Sequence, residues 1–287
     1  MHAPIGPPLL PAAVTRTHTK RMHDSQALQT PCEPLLSEVR ITVWNVEWAM
    51  PSTPRGTFFQ QRLVEPTTSV ACVTEGFAAL LPNHGDLMLA DPDYGYPLRP
   101  HRRKVMLWSR LPWRDVDLVG EPALPPGRFV AGTTETPIGD VRFIGVCIPW
   151  RDAHVRTGLR DRKPWADHLS YLRHLRSVLD RLADERPTVI LGDFNQRVPR
   201  VRQPTEVYAA LMATMQAMTF ATAGRIEGAP TPSIDHVVCT PDLMGNAVRY
   251  LSPHYEGGGV MSDHFGLEVR LNRAGVGAIA SAQGGTA

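Results

Sequence analysis

The chain has only four cysteines, Cys32, Cys72, Cys147 and Cys239, and no two form a Cys-x-x-Cys pair. That excludes the common zinc and dithiol redox motifs. Three of the four sit inside apolar strand-like runs, where cysteine behaves as a small buried hydrophobe. A reduced, cytoplasmic protein is the expectation. No apolar stretch approaches the roughly 20 residues of a membrane-spanning helix. Residues 5–14 are mildly apolar, but Pro7, Pro8 and Pro11 interrupt them and no basic segment precedes them, so they are not read as a signal peptide. Neither sign of charge dominates: 30 Lys and Arg against 28 Asp and Glu leave a net charge of +2. This balance permits a polyanionic partner without the concentrated basic face of a dedicated DNA-binding module. Solenoid-type repeats are absent.

What is present fits one large α/β domain or two small ones in 287 residues. Residues 1–38 are rich in Pro, Thr, His and basic side chains without periodicity, and are expected to form a flexible arm. Residues 273–287 are Gly- and Ala-rich and read as a loose tail, which leaves 39–272 as the folded domain. Leu169, Leu172, Leu175, Leu179 and Leu182 recur at helical spacing and predict a helix over 164–185. Shorter helices are expected over 58–65 and 205–214. Segments 129–134 and 140–148 are expected to pair as a hairpin across a turn carrying Pro137 and Gly139. Several strands joined by short turns, with few helices, predict an α/β (α+β) fold of two packed mixed sheets flanked by helices.

One pattern recurs along this frame: an apolar strand ends on an acid or amide. The run Val189-Ile190-Leu191 leads into Gly192-Asp193-Phe194-Asn195. Asp193 and Asn195 stand at i and i+2, on one side of an extended segment. Asn45 and Glu47 repeat that spacing, and Glu75 ends the strand-like run from Val70. Near the C-terminus, Asp235-His236 and Asp263-His264 place an acid beside a histidine. Carboxylates gathered at one sheet edge repel unless a cation neutralises them, and hard oxygen donors favour Mg²⁺ or Mn²⁺. Each element also has a structural reading. Asp193 with Asn195 suits a turn, and Asn45 with Glu47 suits the polar face of an alternating strand. His236 points away from Asp235 along a strand and reads as structural. The charge runs Arg102-Arg103-Lys104 and Arg160, Arg162, Lys163 are solvated faces or grips for a polyanion. Trp108, Trp113, Trp150 and Trp165 are assigned to packing, with base stacking as the alternative.

In this order, the elements resemble the endonuclease/exonuclease/phosphatase superfamily, with its DNase I-like fold, over roughly residues 40–271. The resemblance implies a four-layer sandwich and a divalent-metal-dependent phosphoesterase that hydrolyses a phosphodiester by in-line attack of water. It implies Glu75 as metal ligand, with Glu47 in support and Asp263 contributing. Asp193 would position or deprotonate the water, Asn45 and Asn195 would donate hydrogen bonds around the phosphoryl group, and Asp235 would orient His264 toward a phosphate oxygen. The sequence leaves open whether Asp193 or His264 is the base. Ser109-Arg110-Leu111-Pro112 matches the family's Ser-Arg-x-Pro turn and makes Arg110 a candidate substrate contact. The family's strand-end His or Tyr is missing, its expected place being Ile148; His154 is the candidate substitute and Arg151 a candidate phosphate contact. A nuclease on DNA or RNA is the first expectation. A phosphatase on a lipid, inositol or nucleotide phosphate is the second, and a catalytically weak binding module on the same fold the third.

Overall fold

Apolar residues alternate across the strands, and that alternation sorts them into layers. The structure, a computed structural model, describes residues 38–275. The expected arm (apart from Glu38), the tail beyond Gly275 and Cys32 lie outside the described residues. Twelve strands follow in chain order: β1 (Val39–Asn45), β2 (Val70–Phe77), β3 (Asp86–Leu89), β4 (Arg102–Ser109), β5 (Arg114–Asp117), β6 (Phe129–Thr136), β7 (Gly139–Cys147), β8 (Thr188–Asp193), β9 (Thr219–Phe220), β10 (Asp235–Cys239), β11 (Leu243–Leu251) and β12 (Gly266–Arg273). They form two six-stranded mixed sheets, ordered β11-β12-β1-β2-β4-β3 and β5-β6-β7-β8-β10-β9.

Val43 and Cys72 of the first sheet face Phe143, Val189, Leu191 and Val237 of the second in a shared inner core. Their chain neighbours point outward. Trp44, Val73 and Met106 pack under Phe58 and Phe59 of α1 (Pro54–Gln60). Ile144, Val146, Ile190 and Val238 pack under Tyr171, Leu172 and Leu175 of α2 (Ala166–Leu182) and Leu211 of α3 (Thr205–Thr214). The result is the expected sandwich of helix, sheet, sheet and helix. Burying one such large apolar side chain contributes roughly 1.5–3 kcal/mol. These clusters therefore hold the fold, and the polar strand ends are left available for chemistry.

The expected helices over 164–185 and 205–214 form as α2 and α3, and the hairpin forms as β6–β7. The first helix begins earlier than expected, at Pro54. The Thr53 side chain accepts from the Gly56 N–H at 3.1 Å, and a proline occupies the first turn. That capping signal outweighs the apolar spacing of 58–65. Among the described residues no helix is long and apolar enough to cross a membrane.

Candidate active site

Strand direction brings the acids together. β1 and β2 run parallel, so Asn45 and Glu75 emerge at the same edge. On the other flank β12 runs antiparallel to β1 and enters the sheet just after Asp263-His264. In the second sheet β8 ends on Asp193, and antiparallel β10 begins on Asp235, its direct cross-strand partner. Two hydrogen bonds then bridge the sheets. Asn45 Nδ2 donates to Asp193 Oδ2 at 3.1 Å, and His264 Nδ1 lies 2.6 Å from Asp235 Oδ2. A cavity of about 300 Å³ opens over them, lined by Asn45, Glu47, Glu75, Asp193, Asn195, Asp263 and His264. Asp235 lies beneath, buried behind His264.

Local sequence fixes this geometry. Gly192 has φ +132, and a Cβ there would sit 2.0 Å from the Val146 carbonyl, so only glycine lets β8 approach β7 before Asp193. Gly266 leaves room for Trp44, whose Nε1 donates to the His264 carbonyl at 3.1 Å. The Ser262 hydroxyl donates to the Asn45 carbonyl at 2.8 Å and accepts from the His264 N–H at 3.1 Å. Asn195 donates twice to Asp193, from its backbone N–H to Oδ1 at 2.9 Å and from Nδ2 to Oδ2 at 3.0 Å. Glu47, Glu75 and Asn195 all hold positive φ, between 46° and 53°. Left-handed backbone costs non-glycine residues energy, and three such residues around one cavity mark a place where side-chain aim takes precedence over backbone comfort.

The electrostatics divide the roles. Burial pushes the Asp193 carboxyl up, and the charge of Asp235 adds to this against the pull of His264; the result is about 7. For His264, burial works downward, but the charge and hydrogen bond of Asp235 outweigh it and carry the imidazole up to about 10. Burial pushes the Cys147 thiol up to about 12, which removes it as a thiolate nucleophile.

The carboxylates lining the first-sheet side of the cavity, Glu47, Glu75 and Asp263, have the chemistry that a divalent cation takes. Glu75 gives one oxygen to Lys104 Nζ and Glu47 gives one to Arg55 at 2.6 Å. Each retains a second carboxylate oxygen without a hydrogen bond from the described residues, and the Asp263 carboxylate is largely exposed. These are hard, anionic donors of the kind Mg²⁺ and Mn²⁺ take. The group whose ligand atoms gather within 4.8 Å of one another among the described residues is a different one, Asp193, Asp235 and His264. Most of those atoms are already engaged, His264 with Asp235 and Asp193 with two asparagines. Those hydrogen bonds occupy most of the trio's ligand atoms, although Asp235 Oδ1 is buried without a partner among the described residues.

Three expected contacts fall elsewhere. Arg110 follows the far end of β4, opposite Ser69, and caps the carbonyls of Thr68, Glu65 and Pro66. Its guanidinium satisfies the β1–β2 connection, away from the cavity. His154 is buried, stacks on Tyr96 with ring centroids 4.4 Å apart, and accepts from the Leu159 N–H through Nδ1. It shapes a loop and does not line the cavity. Arg151 is exposed and lines the next depression, beyond Asn195. Ile148 lies in the helix-side core. The cavity-facing position at this strand end is Cys147, the cross-strand partner of Asp193. Beside it stands a residue that sequence reading missed. Arg128 is only 3% exposed, lines the cavity, donates to the Cys147 carbonyl at 3.3 Å, and has no carboxylate partner among the described residues. The signal lay in the hairpin register, since Phe129 opposite Val146 sets Arg128 opposite Cys147. Lys104 and Trp150 also line the cavity.

Comparison with known proteins finds the same fold elsewhere. A structure of D. rerio TDP2 complexed with single-stranded DNA product superposes with a TM-score of 0.60 at 12% identity, covering 82% of this chain and 99% of that one. A 3′ phosphatase, NExo from Neisseria, bound to a product DNA hairpin, gives 0.56 at 17% identity, covering 80% and 98%. An endonuclease/exonuclease/phosphatase from Beutenbergia cavernae gives 0.53 at 18% identity, covering 82% and 72%. At these identities the likeness is one of fold. A search of curated proteins finds no sequence match. The sequence profile of the Endonuclease/Exonuclease/phosphatase family, however, matches residues 42–264, and on that match the chain belongs to this family.

Proposed function

We propose that the protein is a divalent-metal-dependent phosphodiesterase that cuts a nucleic-acid strand by in-line attack of water on phosphorus. The carrying observation is the shape and charge of the surface around the acids. The central cavity shares Trp150 and Lys104 with one depression, which adds Arg99 and Arg102. It shares Asn195 with another, which adds Arg151, Arg197 and Arg202. A phosphate seated over Asp193 would thus have basic ground on both sides, which suits a polyanionic chain better than a lone phosphomonoester.

Glu75, Glu47 and Asp263 would hold the cation, which when bound supplies Lewis-acid stabilisation of charge on the phosphoryl group. Asp193 takes the proton of the attacking water. Its carboxyl, raised to about 7, is the one poised near neutrality. His264, kept protonated by Asp235, donates to a non-bridging phosphate oxygen and is the wrong form for a base. Asn45 and Asn195 hold the Asp193 carboxylate in place and orient its free lone pairs. Arg128 faces the phosphate from beside Cys147, the strand-end position left without the family's His or Tyr. Its guanidinium is permanently charged, and the incoming anion would be its natural partner.

The test is a panel of metals against substrates with the purified protein: single- and double-stranded DNA, RNA, and small phosphomonoesters. Mg²⁺- or Mn²⁺-dependent strand cleavage that disappears in Asp193→Asn supports the reading. Activity confined to phosphomonoesters would replace it with a phosphatase, and inertness toward every phosphoester would replace it with a binding role.

A further inference from the structure

Beside the acids, on the Lys104 side, lies a second cavity of about 340 Å³, in the size range of small-ligand sites at roughly 300–1,000 Å³. Its walls combine two chemistries. Trp48, Tyr94, Tyr96 and Trp150 supply aromatic rings, and Arg99 and Arg102 supply cations. The aromatic wall is preassembled. Trp48 and Tyr94 stack with centroids 5.7 Å apart, and Tyr96 is backed by the buried His154 ring at 4.4 Å. The Arg102 guanidinium lies over Trp48, 4.5 Å from its centroid. Trp150 stands apart from this stack. It is 45% exposed, bridges the two cavities, and takes part in no ring pair among the described residues. Arg99 and Arg102 likewise have no carboxylate partner among the described residues, although acids crowd the neighbouring cavity.

Trp150 offers a free ring face, Arg99 has no carboxylate partner among the described residues, and Arg102, laid over Trp48, keeps its outer N–H groups for an anion. Together they match a nucleotide, whose base offers a π-face and whose phosphate takes a guanidinium fork. We propose that this cavity receives the nucleobase next to the scissile phosphate, stacked on Trp150, with Arg99 and Arg102 on the following phosphate. The inference rests on the nuclease reading for the identity of the central cavity. It makes His154 a positioning residue, acting through Tyr96. It also narrows the substrate class, because a base paired inside a duplex cannot enter a side pocket. The substrate is a single strand or an unpaired end.

Binding tests this apart from cleavage. The full chain carrying Asp193→Asn is titrated into a fluorescent single-stranded DNA oligonucleotide, and anisotropy gives Kd. Adding Trp150→Ala is expected to weaken binding about 5- to 100-fold, and Trp150→Phe to restore most of it. On an abasic oligonucleotide the same substitution is expected to change little, since there is no base to lose. Arg99→Ala with Arg102→Ala is expected to reduce the slope of log Kd against log salt by about 1 to 2. Equal Kd values within twofold for the parent and Trp150→Ala on the normal strand would overturn the proposal. So would an equal loss on normal and abasic strands, which would mean that Trp150 only packs. Tighter binding of a free mononucleotide than of the strand would overturn the strand assignment. Cleavage by the unmodified protein is scored separately. Base-dependent binding without cleavage sinks the catalytic reading and spares the pocket, whereas cleavage with binding indifferent to Trp150 sinks the pocket alone.

Discussion

Replacing Asp193 by asparagine removes a negative charge from the most crowded part of the cavity, and the effect on stability changes with pH. Burial first, then the charge of Asp235, raises this carboxyl from 3.8 to about 7 against the pull of His264. Between those values the folded protein keeps a proton that the unfolded chain has released, so stability falls as pH rises. Below the lower value the group is neutral in both states and costs nothing; above the upper one the cost is complete. A gap of about three pK units corresponds to roughly 4 kcal/mol at full charge. The Asp193→Asn protein has no such titration. It does lose a contact, because an amide oxygen can face the Asn45 and Asn195 side chains or the Asn195 N–H, but not both. That loss is about 1–2 kcal/mol at every pH. Relative to the parent, the variant should therefore gain on the order of 3 kcal/mol between about pH 5 and about pH 8.5. Urea unfolding followed by tryptophan fluorescence, with chelator present, measures it. Parallel pH profiles for the two proteins would refute the claim that burial and the charge of Asp235 raise Asp193, and with it the assignment of the base.

His264→Gln and Asp235→Asn should each lower kcat by about 10²-fold or more, and the double variant should lose little beyond either alone, because the two act as one donor; additive losses in steady-state kinetics would contradict the pair. Burial holds the His168 and His236 imidazoles down at about 4, so the unfolded chain binds their protons first on acidification. Stability should be complete above about pH 6.5 and fall toward pH 4 by roughly 3 kcal/mol per imidazole, with His236→Gln flattening part of that slope in acid titrations followed by circular dichroism. Gly192→Ala should yield little folded protein in expression and thermal-melt assays, since the added Cβ meets the Val146 carbonyl at 2.0 Å.

Much of the architecture could be read from residue order alone. The leucine spacing of α2 and the turn between β6 and β7 are local signals, and local signals survive folding. Asn45, Glu75, Asp193, Asp235 and His264 could be picked out as candidates because each ends or opens an apolar strand, and the two sheets bring those ends to one edge. Residues whose role depends on register or on what sits behind them were missed or misplaced. Arg110 matched a motif, yet its strand runs away from the acids, and its guanidinium is taken by three carbonyls. The strand-end position fell on Ile148 instead of Cys147 because a shift of one residue exchanges the core face for the cavity face. Arg128 lay in a Pro-Gly loop with no pattern of its own, and only the hairpin register carries it to the cavity. His154 looked like a loop ligand, but its ring is spent on Tyr96 and the Leu159 N–H.

The most direct test of the central claim is the fate of solvent oxygen. A single-stranded oligonucleotide is cleaved by the purified protein with Mg²⁺ in ¹⁸O-labelled water, and the products are analysed by mass spectrometry. Water activated by Asp193 must leave one labelled oxygen on the new phosphate terminus and none on the sugar, and Asp193→Asn must abolish both label and cleavage. Label on the sugar hydroxyl, or undiminished incorporation in the Asp193→Asn protein, would contradict the account.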